Sequence, residues 1–344
     1  RDPGRRLAVS PHFEREERPR GRWGKESSMS DRWNWKRLVV GCMLLALIVA
    51  GADGCARKRK KKKKKEVYIP TAEEISQWVN EKRTTSKNMV QVPAGRYKIG
   101  DNSFKGNREQ IVNLENPFMI DRFEVTNHDW FMYLWATKDS NEFYPAVPIV
   151  MGDFNTDKWD ETSQYFQYDY KNRMKNPVRS ISYDESRGFA RFVRKRLPTA
   201  LEWEIAARGP EGFRYPWGNK YTSADWKTKA WTSFMMSMET TGRADRNSIE
   251  YLNDTVPVDK LSAGQSPFGC YNMAGNVSEW TTSQVRTGHN VWKKRPKNER
   301  PMAQVVKGGS FYSRQKGALA AQFFELLPSL VSDQFRVGFR CVRD

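Results

Sequence analysis

The stretch Phe268-Gly-Cys-Tyr-Asn-Met-Ala-Gly-Asn-Val-Ser-Glu-Trp-Thr281 decides how the rest of the chain is read. Within eight positions it holds Asn272, Gly275, Val277 and Glu279, and Trp280 follows at once. Hard cations are bound by oxygens, and this segment offers a side-chain amide, a carboxylate and loop carbonyls. Glycine at 275 allows a sharp turn, so that neighbouring carbonyls can converge on one point. Taken alone, the same residues equally describe a glycine turn leading into a buried tryptophan.

Four more blocks flank it. Arg196-Leu-Pro-Thr-Ala-Leu-Glu-Trp-Glu-Ile-Ala-Ala-Arg208 and Tyr215-Pro-Trp-Gly-Asn219 precede it; Lys307-Gly-Gly-Ser-Phe311 and Gly338-Phe-Arg-Cys341 follow. In this order the five blocks resemble those of the formylglycine-generating enzyme family, also called the sulfatase-modifying factor domain, over roughly residues 89–344. The resemblance implies an α+β fold that is irregular, loop-rich and low in secondary structure, related to C-type lectin-like folds. It also implies a calcium ion held by the Asn272 side chain, the Gly275 and Val277 carbonyls and Glu279. A second calcium site of the family is not assignable within residues 243–259.

The resemblance also shows where chemistry is missing. The family's enzymes convert a cysteine of an unfolded sulfatase peptide to formylglycine, using oxygen and copper. Two cysteines bind the copper, one three residues after the serine of the Gly-Gly-Ser block and one five residues further on. Soft thiolates select Cu(I), and a hydroxyl or methyl group cannot replace them. Here those positions are Ser313 and Ala318, with Ser310 as the block's serine. The site is therefore expected to be degenerate, with no catalytic residue and no copper. A related branch that makes sulfur–histidine bonds uses iron on three histidines of an extra helical domain. With three histidines in the whole chain, iron is not expected either.

Composition places the remaining expectations. The chain has 344 residues and a formal charge of +19. Residues 1–65 carry 20 basic and 7 acidic residues; the rest carries 39 and 33. The folded part is thus only mildly basic, and nucleic acid is not expected as a partner. Residues 1–28 lack apolar periodicity and read as a non-native or disordered extension before Met29. Residues 29–55 then read as a signal: Arg32, Lys36 and Arg37, an apolar run over 38–51, and Ala-Asp-Gly-Cys55. Cys55 is expected to be lipidated, an uncleaved anchor being the alternative. The nine basic residues from Arg57 to Lys65 favour anionic headgroups. Positive charge after an apolar segment argues for cytoplasmic retention, but the downstream blocks favour export.

Residues 56–88 are expected to form the basic run and a short helical stalk or docking element. That helix opens on a Thr71–Glu74 capping box and runs to about Lys82. Strands flank Pro93-Ala-Gly, and Thr126 caps a helix carrying Trp130 and Trp135. Residues 139–175, with aromatics from Tyr144 to Tyr170, read as an inserted loop suited to a partner surface or a satellite core. A helix over 183–194 should bury Phe189, Ala190 and Val193. Thr199 and Glu202 form another capping box, and Glu204 and Arg208 a structural ion pair. Residues 215–306 read as loop-dominated. In an oxidising compartment Cys270 and Cys341 are free to pair, and two buried thiols are the other reading.

The expected function is that of a non-catalytic, calcium-stabilised, membrane-anchored protein of the bacterial envelope. It would hold an envelope or surface protein complex, and self-association is compatible with that role. Two alternatives stand beside it: an enzyme with altered chemistry at Ser310, Ser313 and Arg314, and a lectin-like ligand binder.

Overall fold

Three helices begin with the same device. Thr71, Ser182 and Thr199 each accept from the backbone N–H of the glutamate three residues on, and Glu74, Glu185 and Glu202 each bond back to the cap residue. This satisfies amides that the first helical turn leaves without partners. The helices are α1 (Ala72–Thr84), α3 (Tyr183–Phe192) and α4 (Ala200–Arg208). The Thr71 and Thr199 boxes follow the sequence expectation, and that of Ser182 adds a third. The structure is a computed structural model that describes residues 68–104, 107–137, 173–222, 224–232, 255–288, 293–313, 315–327 and 336–344. Cys55, the basic run and the aromatics from Tyr144 to Tyr170 lie outside the described residues.

Helix α2 (Asn127–Thr137) is apolar almost all round, and a helix of that kind must be enclosed. Trp130, Phe131 and Leu134 have no exposed surface, and burial of each such side chain contributes about 1.5–3 kcal/mol. Trp130 stacks on Phe189 of α3 at 5.9 Å between centroids, and Phe189 meets Phe339 edge-on at 5.3 Å. Helix α1 packs onto α2. Trp78 is buried in this first core, and its Nε1 donates to Asp129 Oδ1 at 3.0 Å. The α1 segment is therefore a docked part of the domain, not a free-standing stalk.

Among the described residues the strands form three sheets. In one, β4 (Phe118–Asp121) lies between β1 (Met89–Val92) and β9 (Val342–Arg343), antiparallel to both. In another, β2 (Gly95–Ile99) pairs with β3 (Gln110–Leu114). The third has the order β7-β6-β5-β8, from β7 (Phe323–Leu326), β6 (Met302–Lys307), β5 (Ser278–Arg286) and β8 (Val337–Gly338). A second core lies beneath α4, where Trp203, Ile205, Ala206 and Ala207 meet Val92, Ile120 and Met273.

Two expectations change here. Residues 215–306 contain the longest strand among the described residues, β5, so Glu279 sits inside a sheet and not on a loop. Cross-strand pairing outweighed the local turn signals: Glu279 lies opposite Lys307 of β6 and pairs in parallel with Gly338 of β8. Cys270 and Cys341 are both free and buried, in the second and first cores respectively. The α+β, loop-rich character holds.

Candidate functional site

Residues 268–281 are held by two neighbouring segments. Gly275 has φ +83°, and a Cβ there would sit 2.6 Å from the Trp231 carbonyl oxygen, so glycine is required. Asn272 and Asn276 also take left-handed backbone conformations, φ 54° and 60°, which asparagine tolerates better than most residues. The Gly275 N–H donates to the Gly308 carbonyl, and the Phe311 N–H to the Asn276 carbonyl. Thus the candidate metal segment and the Gly-Gly-Ser block, more than thirty residues apart in sequence, are stitched directly together.

All four expected calcium-site residues are buried, but their engagement differs. Both oxygens of Glu279 are committed to the Arg340 guanidinium, which donates from Nε to Oε2 and from Nη2 to Oε1, each at 2.7 Å. Trp203 Nε1 adds a third bond to Oε2 at 2.8 Å. Burial opposes the Arg340 charge, yet Glu279 outweighs it and drives the guanidinium more firmly protonated. Asn272 Nδ2 donates to Glu124 Oε2 at 2.8 Å and to the Val258 carbonyl at 2.9 Å. Since both neighbours are acceptors, the amide orientation is settled. Its Oδ1 is left buried with no hydrogen-bond partner. The oxygen-only donor set and this orphaned amide oxygen fit a hard cation; Glu279 fits it least, being neutralised already.

Sequence reasoning missed Glu124. It is 2 % exposed, and its Oε2 accepts from both Asn272 and Asn276, at 2.8 and 3.0 Å. Its Oε1 has no partner. Burial, reinforced by the Glu279 charge, pushes its carboxyl up to about 8. The only trace in the sequence was an acid inside an otherwise apolar approach to α2, which a single chain does not distinguish from a surface residue.

On the other side of Trp203 lies a second buried ionic group. Glu204 Oε1 accepts from the Gly100 N–H and from Arg208 Nη1, at 2.6 and 2.8 Å. Its Oε2 accepts from Lys307 Nζ at 3.0 Å and Asn107 Nδ2 at 2.8 Å. The Glu204–Arg208 ion pair read from the sequence is present, and Lys307 joins it. Glu202, as expected, serves the cap of α4, and Arg196 bonds both its oxygens.

The Gly-Gly-Ser turn leads from Lys307 to a cavity of about 210 Å³. Ser278, Ser310, Ser313, Phe324, Glu325 and Arg336 contribute to its wall. Ser313 Oγ accepts from the Ser310 N–H at 2.8 Å, so this hydroxyl is part of the turn itself. Ala318 lies outside the wall, its methyl buried beside Tyr215, Ala274 and Leu319. The turn and the short 3₁₀ segment Gln315–Ala318 approach closely: a Cβ on Gly309 would lie 2.4 Å from the Gly317 carbonyl oxygen. Structure thus brings Ser310 and Ser313 to the cavity and leaves Ala318 in the packing behind it.

Residues 75–344 match the sulfatase-modifying factor enzyme 1-like domain, which is most of the chain. The chain belongs to this family. Within the sulfatase-modifying factor family it is 29 % identical over 299 residues to the inactive C-alpha-formylglycine-generating enzyme 2 of Bos taurus, covering 77 % of this chain and 91 % of the relative. It is 27 % identical to the formylglycine-generating enzyme of Thermomonospora curvata, over 75 % of this chain and 94 % of that one. With YfmG, an uncharacterized protein of Bacillus subtilis, identity is 26 % over 79 % of this chain but 58 % of YfmG, so the chain spans little more than half of that relative. The structure of PvdO from Pseudomonas aeruginosa superposes with a TM-score of 0.51 at 21 % identity, over 74 % of this chain and 94 % of PvdO. That likeness establishes the loop-rich α+β fold of the family. Both active and inactive relatives match at similar identity, so activity must be argued from the residues.

Proposed function

We propose that the protein is a non-catalytic member of the family, a calcium-stabilised domain anchored at the bacterial envelope that holds a protein partner. One observation carries the loss of catalysis: the cavity wall that includes Ser310 and Ser313 holds no thiol. The chain has no cysteine between Cys270 and Cys341, and both of those are buried in the cores. Burial also raises the Cys270 thiol to about 11 and Cys341 well above its usual value, which disfavours the thiolate that would ligate copper. The hydroxyl of Ser313 serves the turn, and Ala318 offers no donor.

Loss of chemistry leaves the cavity and the rim of the Gly-Gly-Ser turn as a recognition surface. The relative named as inactive supports this reading. Membrane attachment rests on the apolar run, Cys55 and the basic residues 57–65, and calcium on Asn272 and its neighbours.

Two measurements test the proposal. Purified protein supplied with copper, oxygen and a cysteine-containing sulfatase peptide is expected to leave the peptide unchanged by mass spectrometry; formylglycine would overturn the reading. Crosslinking of tagged protein in native membranes should recover one partner in stoichiometric yield. Recovery of the protein alone would count against scaffolding.

A further inference from the structure

We propose that Glu124 Oε1 and Asn272 Oδ1 are ligands of the buried calcium ion, and that Glu124, not Glu279, supplies its uncompensated negative charge. The inference rests on the calcium-stabilised reading above and adds a residue that the five sequence blocks do not include.

The argument begins with two unsatisfied atoms. Glu124 and Asn272 are 2 % and 1 % exposed, and each has one oxygen without a donor. They belong to side chains already joined by the 2.8 Å bond from Asn272 Nδ2 to Glu124 Oε2. A carboxyl and an amide group are both planar and forked, so this bond directs the remaining two oxygens toward the same side. Leaving either unsatisfied costs about 1–3 kcal/mol, and more for an ionised group.

Charge points the same way. Around this pair the described ionised groups are Glu124, Glu279 and Arg340, two carboxylates and one guanidinium. Arg340 donates twice to Glu279, to the Asp121 and Arg122 carbonyls and to the Tyr271 carbonyl, so its hydrogen-bonding capacity is directed away from Glu124. Glu279 is neutralised and Glu124 is not. A bridging water could donate to both orphaned oxygens but would leave the buried negative charge. A proton on Glu124 would remove that charge, and burial does raise this carboxyl. A divalent cation satisfies both oxygens and the charge at once. Oxygen ligands of mixed charge suit calcium, which accepts carboxylate, amide and backbone carbonyl oxygens together. The Gly275 and Val277 carbonyls remain the neutral members of the set.

The test compares full-length wild-type protein with Glu124→Gln and Glu279→Gln after chelation, using calcium calorimetry and tryptophan-sensitised terbium luminescence. Glutamine at 124 can accept from Asn272 and Asn276 with its oxygen and donate to Asn272 Oδ1 with its amide. Glu124→Gln is therefore expected to fold without metal, to lose calcium affinity on the order of 100-fold through the lost ligand charge, and to show no calcium-dependent rise in Tm. Wild-type calcium affinity in Glu124→Gln would overturn the assignment while leaving the calcium reading intact. No calcium or terbium uptake by the wild-type protein would instead overturn that reading, and this inference with it. Should the variant not fold, anomalous scattering from calcium in wild-type crystals decides. A peak within about 2.6 Å of Glu124 Oε1 is expected, and a peak on Glu279 with Glu124 apart from it overturns the proposal.

Discussion

Two buried ionic groups flank Trp203, and they are solved differently. Around Glu204 one carboxylate meets two cations, Arg208 and Lys307, and every carboxylate oxygen has at least two donors. Around Arg340 one cation meets two carboxylates, and Glu124 keeps an oxygen with none. Trp203 touches both: its Nε1 donates to Glu279, and the Lys307 ammonium lies 5.6 Å from its ring centroid. The first group is closed by its own residues. The second is short of positive charge, and this is the physical reason to look for a metal there and not beside Glu204. Burying ions without partners costs several kcal/mol each, so a domain keeps such an imbalance only where something else offsets it.

The largest expected effect breaks the Arg340 group. Glu279→Gln leaves the guanidinium with Glu124 as its sole remaining carboxylate, at a distance set by the intervening asparagines. Denaturant unfolding should show a loss of about 3–5 kcal/mol. A loss below about 1 kcal/mol would mean that Glu124 moves in to replace it and that the two groups are less distinct than their contacts indicate.

Lys307→Met probes the closed group and should cost less, about 2 kcal/mol, because Arg208 still pairs with Glu204 and the ammonium's own burial cost disappears with it. Burial lowers the Lys307 basicity against the pull of Glu204, consistent with a cation held at some expense. An effect as large as that of Glu279→Gln would erase the contrast in how each group is balanced.

The two groups should also respond to pH in opposite senses. Burial opposes ionisation of Glu204, but Lys307, the Gly100 N–H and Arg208 outweigh it and hold its carboxyl below the usual range. Its contribution is fully present above the unfolded value of about 4.3 and is lost as pH falls through the folded value. Glu124 is raised to about 8. In chelated protein its contribution is present below about 4.3 and is lost as pH rises toward 8. Unfolding free energies of chelated protein from pH 3 to 9 should therefore decline on the alkaline side in wild type, and Glu124→Gln should flatten that side alone. An unchanged alkaline limb would place the proton elsewhere.

The smallest effect serves as a reference. Thr71→Ala removes the cap of α1, remote from both groups, and should lower stability by about 1 kcal/mol or less. Calcium affinity should be unchanged by calorimetry. A linked change would mean that α1 communicates with Arg340 through the first core.

Local signals carried much of this molecule. The Thr71 and Thr199 capping boxes were legible because a cap involves residues three apart and little else. The aromatic face of α2 and the burial of Trp203, Ala206 and Ala207 were legible from composition and spacing, since apolar side chains have few alternatives to the interior. Glu204 and Arg208 were legible as an ion pair because a helix places i and i+4 together.

What the sequence by itself determined was the family, the loop-rich α+β fold, the caps and the absence of thiols at 313 and 318. Each follows from residues close together in the chain or from the identity of single positions. Tertiary structure alone decided that Glu279 belongs to a strand and to Arg340, that α1 docks on α2, and that Glu124 stands beside Asn272. Those outcomes depend on which distant segments share a buried volume: Glu124 and Asn272 are 148 positions apart. Partners at such separations leave no periodic trace along the chain, and the energy of a buried charge depends entirely on who its neighbours are.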